Sequence, residues 1–223
     1  AYVPEEIIYA HGMLPVRILG DLSPQRVSDT HIATDWCAYC RGCLADALKG
    51  NYNYLDGLVH TFCCPGSYGT YLSWTTHSPV DFTCDLYIPT NLNGHGSKEV
   101  FIDEIRTFDT RLGDWTGRQV TQQDFDRSLS IYSENQSLLE ELFKYRKTAD
   151  VYLSGSEAAT AVISGNIMDK TEHNALLREA LEEVGQRTKP VGGLKIMMVG
   201  SECHDIELIK FIESLGATIV VED

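Results

Sequence analysis

The chain has 223 residues, enough for one large domain or two small ones with a hydrophobic core. Its formal net charge of -14 argues against nucleic acids and anionic membrane surfaces as partners, because both require a basic face. No apolar run reaches the roughly 18 residues of a membrane span. The seven cysteines are an odd number concentrated in one stretch, which is atypical of a secreted disulfide framework and indicates a reducing, cytoplasmic compartment.

Residues 1–96 alternate helical and extended patterns at the spacing of βαβ units. Pro4 followed by Glu5 and Glu6 is typical of a helix N-terminus, and Gly12 is expected to end that helix. The next expected elements are a strand at 14–19, a helix at 37–49 followed by Gly50, a strand within 55–63, a helix at 67–77 and a strand within 84–91. This order predicts an α/β fold that opens with a Rossmann-like domain built on a parallel sheet.

Residues 97–190 predict a helical segment. Apolar residues recur near the helical period in four blocks, at 97–117, 121–147, 154–166 and 168–187. Ser97 is the candidate N-cap of the first block and Gly117 its candidate C-cap, and Thr121 with Asp124 is close to a capping box.

Residues 194–223 predict one βαβ unit, because the pattern runs strand, loop, helix, glycine and strand. Two strands and one helix do not bury a sheet by themselves. We therefore expect residues 194–223 to begin a second α/β domain whose remainder lies beyond Asp223. The predicted organisation is 1–96, 97–190 and 194–223.

The stretch from 35 to 66, DWCAYCRGCLADALKGNYNYLDGLVHTFCCPG, holds five of the seven cysteines. Cys37 lies at the predicted start of a helix, and Cys63 and Cys64 follow the next predicted strand. Ligands gather where parallel strands end and helices begin, so these thiols are expected to converge. Helix N-termini also stabilise thiolates, which iron-sulfur clusters require.

Other interpretations of the cysteines stay open on spacing alone. A zinc site would be expected to add a second CxxC or paired histidines, which this sequence does not provide. Four of the thiols, Cys40, Cys43, Cys84 and Cys203, are also interpretable as small buried hydrophobic side chains.

Four segments in the same order resemble the cluster-bearing subunits of ATP-dependent benzoyl-CoA reductases and 2-hydroxyacyl-CoA dehydratases. They are VPEEIIYAHGMLPVRILG, WCAYCRGCLADALKGNYNYLDGLVHTFCC, FDTRLGDWTGRQVTQQDFDRSLSIYSENQSLLEELFKYRK and KIMMVGSECHDIELIKFIESLGATIVVED. The resemblance covers nearly the whole chain. It implies a [4Fe-4S] cluster held by three cysteines, of which the first maps to Cys37 and the second to Cys64, with Cys63 and Cys40 as rivals. The third would lie beyond Asp223.

The resemblance also implies a reaction and its partners. We expect low-potential electron transfer to an aromatic acyl-CoA thioester, with a homologous partner subunit and a separate ATP-hydrolysing iron-sulfur activator. The alternatives are a 2-hydroxyacyl-CoA dehydratase subunit acting through a ketyl radical, and a non-catalytic electron-relay or assembly subunit. Pro65 departs from the family pattern, in which many members have Asp after the cysteine.

Three histidines, His11, His60 and His77, lie near predicted strand ends or loops and are candidate proton donors or thioester ligands. The alternative, which is favoured for each, is a packed or solvent-facing histidine. Arg41, one turn after Cys37, is a candidate partner for the cluster or a CoA phosphate, with a structural salt bridge as the alternative.

Overall fold

A computed structural model describes residues 2–20, 26–91, 93–200 and 203–222. Within these ranges it has eight helices and four strands, so the predicted α/β class is confirmed. The chain divides into two compact units: unit 1 is Ala1–Met13 with Ile18–Thr121, and unit 2 is Leu14–Arg17 with Gln122–Asp223. In the same ranges, every helix is too short or too polar to cross a bilayer.

Unit 1 contains six elements. They are α1 (Glu5–Ala10), α2 (Ala38–Leu48), β1 (Gly57–Thr61), α3 (Pro65–His77), β2 (Phe82–Leu86) and α4 (Ser97–Thr116). Strands β1 and β2 pair in parallel with α3 between them in sequence, which confirms the βαβ pattern predicted for this region. Gly12 and Gly50 both adopt φ +81°, a region that glycine reaches without a Cβ clash, and they end α1 and α2 as predicted.

The two faces of the β1–β2 pair bury different partners because side chains alternate along a strand. On one face, Phe82, Cys84 and Leu86 pack against α4 through Phe108 and Leu112. On the other face, Leu58 joins a cluster with Leu44, Ala47 and Trp74 of α2 and α3. The sheet therefore separates α4 from the helices that carry the cysteines.

The strand predicted at 14–19 is wrong, since these residues are irregular. Pro15 lacks a backbone N–H and interrupts any ladder. Tyrosine hydroxyls take the place of a neighbouring strand: Tyr39 donates to Ile18 O at 2.7 Å, and Tyr52 accepts from Leu19 N at 3.0 Å.

The predicted N-cap of α4 is also wrong, because Ser97 is the first helical residue and Gly96 is the cap. Gly96 adopts φ +81° after a turn in which Ser97 N donates to Gly94 O. A glycine fits this left-handed position better than serine does. Gly117, with φ +68°, ends the helix as predicted.

Unit 2 combines three helices with a second βαβ unit. Its elements are α5 (Gln122–Lys144), α6 (Gly155–Gly165), α7 (Lys170–Gly185), β3 (Leu194–Met198), α8 (Ile206–Ser214) and β4 (Ala217–Glu222). The core between the helices contains Leu142, Leu153, Ala158, Leu177 and Val184. Strands β3 and β4 are parallel, which confirms the βαβ prediction for this segment. The predicted segment boundaries at 96 and 190 stay predictions.

Candidate functional site

Two cysteines cap α2 and α3, the helices that precede and follow β1 in the sequence. Cys37 is the N-cap of α2, and its Sγ accepts the Cys40 N–H at 3.5 Å. Cys64 is the N-cap of α3, and its Sγ accepts the Ser67 N–H at 3.3 Å. The first turn of a helix presents unpaired N–H groups and a partial positive charge, so both sulfurs lie where negative charge is stabilised.

Cys40 lies beside both capping sulfurs. A Cβ placed on Gly66 of α3 would be 3.4 Å from Cys40 Sγ and 3.7 Å from Cys64 Sγ, so these two sulfurs line the same side of the first turn of α3. Cys40 also hydrogen-bonds with the Cys37 side chain. The structure therefore brings Cys37, Cys40 and Cys64 together, and Gly66 leaves the space beside the last two open.

The packing of α2 on α3 holds this arrangement. The Trp36 indole lies directly against Gly69 of α3, at a distance that only the absence of a Cβ permits. Thr70, also on α3, donates its hydroxyl to Cys40 O at 3.3 Å. Trp36 adjoins Cys37, and Thr70 binds Cys40 itself, so both contacts hold the cysteine-bearing end of α2 against α3.

The environments of Cys64 and Cys40 shift their pKa values in opposite directions. The Ser67 N–H bond lowers the pKa of Cys64 below its ordinary value of 9.0, against a smaller opposing effect of burial. Burial raises the pKa of Cys40, and its hydrogen bond with Cys37 and the neighbouring sulfur charges add to that effect. The surroundings of Cys64 therefore favour the thiolate more than those of Cys40 do.

Of the other four cysteines, two are buried and two are exposed. Cys43 and Cys84 are buried, as the small-hydrophobic interpretation predicted, and Cys84 Sγ accepts from Arg111 at 3.1 Å. Cys63 is exposed and donates its thiol to Ser67 Oγ at 3.1 Å. The prediction that Cys203 is buried is wrong, because it lies in the loop two residues before the α8 N-cap Asp205 and is exposed.

Two of the candidate histidines lie away from the sulfurs. His11 is buried and binds Asp109 Oδ1 through Nε2 at 2.8 Å, which ties the end of α1 to α4. His77 is the last residue of α3, at the opposite end from Cys64, and its ring lies 4.3 Å from that of His31.

His60 is the candidate histidine that the structure connects to the cysteine pair. Its Nδ1 lies 2.7 Å from Asp85 Oδ1 and its Nε2 lies 3.2 Å from Ser67 Oγ. Sequence reasoning missed Asp85 and Ser67. The serine three residues after Cys64 was a detectable signal, because it completes a capping box in which a cysteine replaces the usual hydroxyl residue.

Arg41 forms a structural salt bridge, which was one of the two roles predicted for it. Its guanidinium lies 2.6 Å from Asp29 Oδ1, and both side chains are partly buried. Across residues 2–20, 26–91, 93–200 and 203–222, no group of three or more His, Cys, Asp or Glu side chains is arranged to hold a metal ion.

Comparison with known proteins gives the same family over the whole length. A family model described as 2-hydroxyglutaryl-CoA dehydratase, D-component, matches residues 1–223. The (R)-phenyllactyl-CoA dehydratase beta subunit of Clostridium sporogenes is 23% identical over an alignment of 225 positions, which covers 100% of this chain and 60% of that protein. One subunit of the benzoyl-CoA reductase of Thauera aromatica is 24% identical over 227 residues, 100% of this chain and 59% of that protein.

A third relative, the beta subunit of the (R)-2-hydroxyglutaryl-CoA dehydratase of Acidaminococcus fermentans, is 24% identical over 230 residues and is covered to 59%. The chain thus spans 59% to 60% of the length of these relatives. The resemblance predicted from the sequence is confirmed, and the chain belongs to the 2-hydroxyglutaryl-CoA dehydratase D-component family.

Proposed function

We propose that this chain is a subunit of an enzyme that acts on an acyl-CoA thioester, and that Cys37 and Cys64 are two ligands of a [4Fe-4S] cluster. The names of its relatives, which are acyl-CoA dehydratase and benzoyl-CoA reductase subunits, support the class of reaction. The observation that carries the ligand assignment is that both cysteines cap adjacent helices, where each sulfur accepts a backbone N–H group.

Gly66 supplies the test of whether these residues fit such a group. A side chain at this position would fill the space beside Cys64 Sγ and Cys40 Sγ, and glycine leaves it open. Cys40 is the poorer candidate ligand because it is buried, and burial raises the pKa of its thiol. We place the third ligand outside residues 1–223, in the part of the relatives that this chain does not cover.

The chain's own contribution would be to hold two sulfurs and their donors. A bound [4Fe-4S] cluster would supply single electrons at low potential. The N–H groups of Cys40 and Ser67 donate to the two capping sulfurs and thereby stabilise negative charge on them. The number of such donors is one of the properties by which a protein sets the potential of its cluster.

The reaction favoured here is electron transfer to an aromatic acyl-CoA, with dehydration of a 2-hydroxyacyl-CoA through a ketyl radical as the alternative. Both require a homologous partner subunit and a separate ATP-hydrolysing iron-sulfur activator. All seven cysteines are free thiols, which is consistent with a reducing, cytoplasmic compartment. Supplying the assembled enzyme with benzoyl-CoA or a 2-hydroxyacyl-CoA, together with activator, ATP and reductant, separates the two reactions.

The cluster assignment is tested on the full-length protein, purified without oxygen. We expect iron and sulfide in the protein and the broad visible absorption of a [4Fe-4S] cluster. Cys37→Ala and Cys64→Ala should each lose both signals, and Cys203→Ala, an exposed cysteine of unit 2, should retain them. Retention of the cluster in both ligand variants would overturn the assignment.

Two further outcomes identify the other functions considered. Zinc without iron or sulfide would indicate a zinc-binding module. Substrate turnover that persists after this subunit's cluster has been destroyed would indicate an electron-relay or assembly role.

A further inference from the structure

Cys37 and Cys40 form a Cys-x-x-Cys pair at the start of α2. Cys37 is the N-cap of this helix and Cys40 is its third residue. The Cys37 Sγ accepts the Cys40 N–H at 3.5 Å, and the two side chains are hydrogen-bonded to each other. A Cys-x-x-Cys pair near a βαβ unit is typical of proteins that exchange thiols for disulfides. The pair therefore has a second chemistry open to it besides iron binding.

The backbone at the N-cap brings the two sulfurs within range of each other. A disulfide joins Cβ atoms about 3.5–4.5 Å apart, whereas residues three apart inside a helix have Cβ atoms about 5–6 Å apart. Cys37 lies outside the helical conformation, with φ -58° and ψ 147°, and its side chain turns back over the first turn of α2. Because the two side chains are already in contact, closing the bond requires a change of side-chain torsions and no movement of the helix.

Contacts with α3 hold the backbone around the pair. The Trp36 indole lies against Gly69, and the Thr70 hydroxyl donates to Cys40 O at 3.3 Å. These contacts use a side chain next to Cys37 and the carbonyl oxygen of Cys40. Neither involves a sulfur, so both sulfurs stay available for a bond to each other.

Exposure gives the two cysteines an order of reaction. Cys37 is exposed, whereas Cys40 has a relative accessibility of 6%. A disulfide that arrives from solvent therefore reaches Cys37 first. Cys40, shielded from solvent and in contact with Cys37, is placed to attack the product of that first reaction. Access of this kind decides which sulfur reacts in thiol–disulfide exchange.

Other pairs of cysteines at this site are less suited to a disulfide. Cys63 and Cys64 are adjacent, and neighbouring Cα atoms are about 3.8 Å apart, below the roughly 4.4 Å at which disulfides begin. Cys40 and Cys43 both lie inside α2, where the helical spacing separates their Cβ atoms too far. Cys64 belongs to the other helix, and its sulfur accepts the Ser67 N–H. Cys37 with Cys40 is the favoured pair.

We propose that Cys37 and Cys40 are a modification site, which in the iron-free protein reacts with small-molecule disulfides to form a reversible intramolecular disulfide. Cys37 Sγ attacks one sulfur of the small disulfide, and the other sulfur leaves as a thiol with the proton of Cys37. Cys40 Sγ then attacks Cys37 Sγ, which closes the protein disulfide and releases the second thiol with the proton of Cys40. The two cysteines lose two electrons and the small disulfide gains them. Excess thiol reverses both steps.

The same bond would control iron loading. This consequence rests on the proposed function, in which Cys37 is a cluster ligand. Iron-sulfur clusters are held by thiolates, and a sulfur within a disulfide has none to offer. The oxidised protein would therefore take up a cluster only after a thiol had reduced it, and a bound cluster would keep Cys37 from reacting with disulfides.

The test follows one tryptic peptide of the full-length, iron-free protein. The protein is incubated without oxygen with glutathione disulfide, and the remaining thiols are then alkylated. Trypsin cuts after Arg26 and Arg41, so peptide 27–41 contains Cys37 and Cys40 and no other cysteine. We expect mass spectrometry to find this peptide unalkylated and lighter by two hydrogen atoms. Excess reduced glutathione before alkylation should return it to the doubly alkylated form.

Two variants of α2 show whether Cys40 closes the bond. Cys40→Ser removes the second sulfur, so peptide 27–41 should carry a stable glutathione adduct on Cys37. Cys43→Ala, the matched control one turn further along the helix, should give the wild-type result. A doubly alkylated wild-type peptide after incubation, an adduct that Cys40 leaves in place, or a bond from peptide 27–41 to the peptide containing Cys64 would each overturn the proposal.

The iron-loaded protein tests the link to the cluster. Because one sulfur cannot bind iron and form a disulfide at the same time, each state excludes the other. We expect peptide 27–41 to show no disulfide while the protein keeps its iron, and the disulfide to form once a chelator has removed the iron. Formation of the disulfide at full iron content would overturn the control of iron loading.

The proposed function fails by a different observation. A wild-type protein that contains no iron when purified without oxygen removes the cluster, whereas the disulfide is measured on the iron-free protein and does not depend on it. An iron-loaded protein whose iron-free form gives no disulfide removes only the modification site.

Discussion

Where a side chain caps a helix, the two units of the chain use different atoms. In unit 2, α6, α7 and α8 are capped by oxygen atoms of Ser154, Asp169 and Asp205, which accept backbone N–H groups at 3.2, 2.8 and 2.9 Å. In unit 1, α2 and α3 are capped by the sulfur atoms of Cys37 and Cys64, at 3.5 and 3.3 Å. Oxygen caps contribute about 1 kcal/mol each, and a thiol sulfur is a weaker acceptor.

The weaker sulfur caps mark the positions at which unit 1 is less stable than oxygen caps would make it. Both units contain a parallel strand pair with a helix between the strands in sequence, and in both the residue at the start of that helix is an N-cap. Unit 2 uses Asp205 at this position, which is what stability alone favours. Unit 1 uses Cys64, beside the sulfur-lined space around Gly66. We interpret the sulfur caps as a sign of chemistry at that point.

The largest expected effect comes from breaking the contact that joins α2 to α3. In Gly69→Ala the new methyl group would overlap the Trp36 ring, so either the indole or the helix must move. Overpacking of this kind typically costs about 1–3 kcal/mol. Thermal unfolding followed by circular dichroism should show a lower Tm, and Cys37, which adjoins Trp36, should become more reactive towards alkylation.

Gly66→Ala is the matched control for that prediction, since it is the same change on the same helix. Its methyl group would lie in ordinary contact with Cys40 Sγ and Cys64 Sγ, at 3.4 and 3.7 Å, so the fold should tolerate it. We expect little change in Tm but a loss of iron loading. Equal destabilisation by the two substitutions would contradict the role given to Trp36.

A smaller effect should follow from exchanging the caps between the units. Ser154→Cys replaces an oxygen cap by sulfur and should lower the free energy of unfolding by about 1 kcal/mol, whereas Cys64→Ser should raise that of the iron-free protein by a few tenths to about 1 kcal/mol. Urea unfolding measures both. Ser137→Cys, an exposed position within α5, is the control and should be near neutral. A stabilised Ser154→Cys would remove the distinction between the units.

Local patterns in the sequence were sufficient to place Cys37 at a helix start, since α2 begins directly after it. The start of α3 was predicted two residues late, at 67 instead of 65, so the capping role of Cys64 was not predicted. The βαβ patterns at both ends of the chain were likewise confirmed by parallel strand pairs. These features depend on residues close together in the chain, and periodicity and capping rules describe such residues well.

Features that depend on distant residues could not be predicted in the same way. The pairing of His60 with Asp85 follows from strand register, which no local pattern near either residue specifies. The strand predicted at 14–19 failed because tyrosine hydroxyls from elsewhere satisfy its backbone. Cys203 was expected to be buried from its residue type alone, without knowledge of the loop that exposes it.

Unit 2 also contains a buried polar cluster, formed by His173, Asn135 and Asn174. Its hydrogen bonds favour the neutral form of the histidine. His173 Nε2 donates to Ala161 O at 2.9 Å, and its Nδ1 accepts from Asn135 Nδ2 at 2.7 Å. The other Asn135 N–H donates to Asn174 Oδ1 at 2.6 Å, which fixes the orientation of that amide. Burial, aided by the nearby Lys170 charge, lowers the pKa of His173 below 6.5.

This pKa shift predicts the smallest effect, an acid sensitivity carried by unit 2. Because the pKa of His173 is lower in the folded chain, the unfolded chain binds a proton there more readily below pH 6.5. The contribution of His173 to stability is therefore complete above that pH and decreases as the pH falls. The urea midpoint of the wild type should therefore drop more between about pH 7.5 and about pH 5.5 than that of His173→Gln, because all other titrating groups are common to both and cancel. Parallel pH dependence in the two proteins would mean that His173 accepts a proton within the fold, against the donor that Asn135 directs at its Nδ1.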